Sequence, residues 1–137
     1  MKQAGTKKTE ADRDRYQRGL EIFERLYGEA GAQTLRSLES AAPDLARYIV
    51  EFAFGDIFSR PGLDLKSREL ATVAALTAMG NSPVQLRAHI HGSLNAGCTQ
   101  QEILEIIMQM VLYAGFPAAI NGVQAAQEVF AERAAGK

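Results

Sequence analysis

At 137 residues, with 47% apolar and 23% charged residues, the chain has the length and composition of one globular domain with a real core. Its net charge of −1 gives no electrostatic case for nucleic acid or an anionic membrane, and no apolar run approaches the roughly 20 residues of a membrane span. A single cysteine excludes an internal disulfide and fits a reducing cytoplasm.

Residues 1–11 lack an apolar signal region and read as a disordered tail, with 12–137 as a single domain. From 12 to 27, Tyr16, Leu20, Phe23 and Tyr27 recur at helical spacing and predict an amphipathic helix that Gly28 and Gly31 break. A weaker helical segment spans 33–40 and ends before Pro43. The stretch 44–58 predicts a helix apolar on two sides. Leu45, Ile49, Phe52 and Ala53 form one face, and Phe54 and Phe58, with Glu51 beside them, form the other. Arg60-Pro61-Gly62-Leu63 is a rigid turn, since Pro61 fixes its own φ and Gly62 permits a positive one.

Asp64 is placed to cap a helix over 65–79 whose body is almost entirely small or apolar, the mark of a close-packed central helix. After Gly80 to Pro83, the stretch 85–96 forms the next helix and carries both histidines. Leu86, Ile90, Ser93, Leu94 and Gly97 share one face. His89 lies on its border, about 60° from Leu86 at about 100° per residue, whereas His91 points away toward solvent. Gly97 suits the left-handed position after a helix end. Thr99 and Glu102 form a capping box for the following helix, with Cys98 and Ile103 as its hydrophobic staple.

That helix buries Ile103, Ile106, Ile107, Met110, Val111 and Ala114 and adds a second stripe of Leu104, Met108 and Leu112. Gly115 and Pro117 break the chain, and a last helix reaches about residue 134 on Ile120, Val123, Gln127 and Phe130. No β-alternating stretch is present, so the fold is all-α with about six to seven helices. The apolar excess on two helices predicts a homo-oligomer.

Three stretches together resemble the carboxymuconolactone decarboxylase family, within the alkylhydroperoxidase D-like superfamily. They are FAFGDIFSRPGLDLKSRELATVAAL at 52–76, QLRAHIHGSLNAGCTQQEI at 85–103 and MVLYAGFPAAINGVQAAQEVF at 110–130. No one stretch is specific, but their order and spacing from about Tyr16 to Phe130 are. The resemblance implies an alkylhydroperoxidase D-like helical domain assembled as a homo-oligomer, most often a hexamer built as a trimer of dimers.

The family divides chemically. Peroxidase-type members use a C-x-x-C-x-x-x-H motif with an upstream glutamate. Here His89 matches the histidine, but Ser82 and Gln85 occupy the cysteine positions, so dithiol–disulfide exchange has no nucleophile and no resolving thiol. Glu69 matches the upstream glutamate one residue out of register. Decarboxylase-type members keep the Arg-Pro-Gly-Leu turn, an arginine matching Arg68 and the histidine matching His89. The chain departs from them at Phe54 and Phe58, where they tend to carry tryptophan, and at Glu69, where they usually have a small polar residue.

The resemblance therefore implies a carboxy-lyase without cofactor or metal, acting on γ-carboxymuconolactone or an analogue in aromatic-acid degradation. His89 would deliver a proton, with Glu69 as its catalytic partner, while Arg60 and Arg68 line the substrate site. Glu51, between Phe54 and Phe58 on its helical wheel, reads independently of the family as a further substrate-site carboxylate. Each residue also has a plainer reading. His89 suits a core-edge histidine, Arg60 and Arg68 suit ion pairs with Asp56, Asp64 or Glu69, Glu69 suits a first-turn helix charge, and Glu51 suits a rim charge. Two histidines two residues apart face different ways and make a poor metal pair. A thiol-dependent peroxidase acting through Cys98 and a non-catalytic helical module are the alternatives. The staple position explains Cys98 without chemistry.

Overall fold

The computed structural model describes residues 9–136. The tail expected over 1–11 lies mostly outside them, and its last three residues form a helix cap and first turn. Among the described residues the structure is all-α, without strands, and no helix is long and apolar enough to cross a membrane. The chain groups into two compact units, one ending at Pro61 and one starting at Gly62.

In the first unit, α1 (Glu10–Ala41) starts at a capping box of Thr9 and Asp12. Gly28 interrupts it at φ 56° and ψ −145°, a conformation that only glycine adopts readily. The helix resumes at once and passes through Gly31 without a break, so the second arm is longer than the expected 33–40. Phe23, Leu26 and Leu35 are its buried apolar side chains.

Pro43 starts α2 (Pro43–Tyr48), which runs directly into a π-helix, Ile49–Phe58. The i→i+5 bonding of that helix changes which residues share a face. Val50, Glu51, Phe54 and Gly55 turn inward. Phe52 and Leu45, expected on a core face, are 59% and 50% exposed. Phe54 packs against Phe23, Tyr27 and Phe58 with ring centroids 5.0–5.6 Å apart. Phe23 and Phe54 are core and Phe58 is half-buried against them, rather than the spare surface that 3.6-residue periodicity implied. Arg15 grips Asp56 by two hydrogen bonds of 2.9 and 2.6 Å.

In the second unit, Asp64 accepts the Ser67 N–H at 2.7 Å and opens α3 (Leu65–Met79), as its sequence position predicts. Pro83 begins α4 (Pro83–Asn95), two residues earlier than expected. Its end is a Schellman motif: Gly97, at φ 98°, donates to the Leu94 carbonyl, and the Cys98 N–H reaches the Ser93 carbonyl at 2.9 Å. The Thr99–Glu102 capping box then starts α5 (Gln100–Gln109). The last helix, α6 (Val111–Ala134), is kinked where Gly115 adopts φ 83°. Val73, Leu86, Ile90, Cys98, Ile103, Ile107, Ala126 and Val129 make one core among these helices. Leu104, expected as spare surface, packs partly buried against that core.

Candidate functional site

Glu69, Val73 and Thr77 follow one another at helical spacing on the inner face of α3, and all three are buried. Glu69 is 0% exposed. A carboxylate taken that far from water needs a polar partner. Across from it, Leu86 and Ile90 anchor α4 in the core, and His89 between them reaches the core's edge. Its Nδ1 lies 3.1 Å from Glu69 Oε2, with the histidine side chain 22% exposed. The imidazole is thus in contact with a buried carboxylate while part of its side chain stays exposed. Ser93, one turn on, bonds the His89 carbonyl at 2.7 Å, and Thr72 does the same for the Arg68 carbonyl at 2.9 Å.

The other expected site residues are placed as follows. Arg68 precedes Glu69 on α3 and is half-buried. Glu51 and Arg60 belong to the first unit. Glu51 is buried in the π-helix rather than at a rim. Arg60 is exposed in the turn that follows.

Cys98 is buried, and its Sγ donates to the Lys66 carbonyl at 3.7 Å. Burial pushes the thiol up to about 11, so near neutral pH it is protonated and a poor nucleophile. Cys98 and Ile103 lie in one core cluster, which is the packing a staple requires.

His91 is more than a solvated surface group. Its Nε2 is 3.1 Å from Glu132 Oε2 on α6. Arg87 bonds Glu132 Oε1 and also Glu128, and Arg133 donates to Asn95 at 3.1 Å. The sequence carried a signal for this seam that sequence reasoning did not use: Arg87, His91 and Asn95 recur every four residues on α4, opposite Glu128 and Glu132 on α6. Elsewhere on the second unit, a groove of about 390 Å³ is lined by Met108, Val111, Phe116, Ala119, Ile120 and Val123, and neither Glu69 nor His89 borders it.

An all-α chain with a buried glutamate 3.1 Å from a partly exposed histidine, and no cysteine pair before that histidine, is a helical protein without the thiols that dithiol exchange needs. The chain belongs to the carboxymuconolactone decarboxylase family, whose model matches residues 43–128. It is 38% identical over 120 residues to 4-carboxymuconolactone decarboxylase of Acinetobacter baylyi, covering 87% of this chain and 89% of that one. It is 34% identical over 80 residues to nitrosuccinic acid decarboxylase of Metarhizium robertsii, covering 58% and 55%. A peroxisomal protein of Schizosaccharomyces pombe is 34% identical over 96 residues, covering 69% and 45%.

Proposed function

We propose that the chain is a carboxy-lyase that removes CO₂ from a small dicarboxylate and protonates the carbanion left behind. The observation that carries this reading is the 3.1 Å contact between buried Glu69 and half-exposed His89. The two decarboxylase relatives suggest the substrate class. In carboxymuconolactone, loss of CO₂ leaves a carbanion delocalised through the ring to its carbonyl; in nitrosuccinate it leaves a nitronate. Both compounds retain a second carboxylate. The shared element is an electron-accepting group conjugated to the carbon that loses CO₂, not a ring.

In this scheme the C–CO₂⁻ bond breaks heterolytically, its electron pair spreads onto the acceptor oxygens, and CO₂ departs. The His89 imidazolium then gives its Nε2 proton to the carbanion, and solvent restores that proton through the exposed side of the ring. Glu69 keeps Nδ1–H engaged throughout and so fixes which nitrogen faces the substrate. Arg68 supplies the planar fork that binds a carboxylate in two places. Arg60 is assigned to substrate binding on family resemblance alone and Glu51 on its place beside Phe54 and Phe58 in the sequence, and Arg60→Lys tests the assignment for the arginine.

The enzyme would work in the cytoplasm, in aromatic-acid degradation, as a homo-oligomer, with the hexamer of its family as the leading candidate. Purified protein supplied with 4-carboxymuconolactone, and separately with nitrosuccinate, should release CO₂ from at least one of them. Wild-type protein inert toward both would overturn the reading.

A further inference from the structure

The seam between α4 and α6 lies on the side of α4 away from His89. Arg87, His91 and Asn95 line that side, while His89 is two positions from both Arg87 and His91, about 200° around the helix at about 100° per residue. Leu86 and Ile90 hold α4 by apolar contact, which is not directional. Hydrogen bonds fix rotation far more tightly. With side chains reaching about 5–6 Å from the helix axis, a turn of only about 20° carries a ring about 2 Å sideways. That displacement is enough to break the 3.1 Å contact between His89 and Glu69.

We infer that the α4–α6 seam sets the rotation of α4, and that Glu132 is a positioning residue for His89. Glu132 is the residue on which the seam turns, because its two oxygens hold two successive turns of α4: Oε1 takes Arg87 and Oε2 takes His91. Its carboxyl is held below the usual range first by His91 and then by Arg87, so it is the anion this arrangement needs. The inference rests on the Glu69–His89 pairing used above, but not on any particular substrate.

The chain has two histidines, so their ring nitrogens can be resolved without turnover. Proton–nitrogen correlation spectra of the full chain, labelled at histidine and recorded where both rings are neutral, report the tautomer of each. The wild type should show His89 protonated on Nδ1, bonded to Glu69. In Glu132→Ala the His89 nitrogen signals should move toward a mixture of tautomers, with helix content unchanged by circular dichroism. Glu128→Ala, which removes a bond to Arg87 and leaves both Glu132 bonds intact, should leave them in place. If Glu132→Ala fails to fold, His91→Ala removes one arm of the seam and His89 becomes the sole ring signal, with a smaller shift in the same direction expected. His89 signals that coincide with wild type in a folded seam variant overturn the inference. Because no substrate is involved, an inactive enzyme with a seam-dependent His89 tautomer would overturn the decarboxylase reading and leave this one standing.

Discussion

Glu69 shares the inner face of α3 with Val73 and Thr77, and its buried carboxylate has His89 as a polar neighbour 3.1 Å away. His89→Gln removes the acid but keeps a polar side chain of similar reach, so kcat should fall by about 10²-fold or more while the protein stays folded. Steady-state kinetics on a turned-over substrate provide the check. An unchanged rate would take the proton-delivery role from His89. Cys98 gives a residue-scale prediction of the opposite kind. Its thiol goes from an ordinary value of 9.0 to about 11 on folding, so between those values the unfolded chain loses the proton and the folded chain keeps it. Stability tied to this group is therefore complete below pH 9 and drains away as pH rises toward about 11. Cys98→Ala should flatten that slope in urea titrations at pH 8 to 10.5, at the cost of a small cavity. A native thiol that reacts with iodoacetamide as fast as a free one near neutral pH would contradict the burial and reopen the one-cysteine peroxidase. The pairing of Glu69 with His89 was only partly legible in the sequence. Each residue stood out alone, but 20 positions separate them, and no periodicity rule measures a distance between two helices.

Among the elements, the helices whose ends carry local chemistry were the ones that sequence could place. Asp64, Thr99 with Glu102, and Gly97 each satisfy backbone groups within a few residues of themselves, so their signal is complete in the chain. The π-helix was not legible, because reading 44–58 at 3.6 residues per turn turns Phe52 inward and Phe54 outward, the reverse of what is found. Its inward turn also brings two backbones together. A Cβ on Gly19 of α1 would lie 1.9 Å from the Val50 carbonyl oxygen, and one on Gly55 would lie 2.4 Å from the Arg15 carbonyl oxygen. Gly19→Ala thus sets two effects against each other. Helix propensity favours alanine by at most about 1 kcal/mol. The clash is with backbone rather than a flexible side chain, and overpacking of this kind costs about 1–3 kcal/mol or more. The clash should win, and urea unfolding should show a net loss of stability. Equal or greater stability would mean that the two elements separate easily there.

At the scale of the whole molecule, the apolar surplus read from the sequence is present, but on partly different residues. Phe54 and Leu104 pack inside their own units, whereas Met108, Leu112, Tyr113, Phe116 and Ile120 are 48–76% exposed. Met108, Phe116 and Ile120 border the groove on α5 and α6. So large an apolar exposure in one region costs solubility unless something covers it, and a second copy of the chain is the cover that the proposed oligomer would supply. Met108→Glu separates this from any effect on the fold. Met108 is 48% exposed in the single chain, so a glutamate there meets water and should leave the melting of the isolated fold almost unchanged. In a subunit contact the same carboxylate would be buried without a partner, at a cost of several kcal/mol per interface. Light scattering should therefore give a mass several times the 14.9 kDa chain for the wild type, and a marked drop for Met108→Glu with helix content retained. A wild-type protein that scatters as a single chain at micromolar concentration would refute the assembly. A Met108→Glu variant that keeps the full mass would move the contact away from this face.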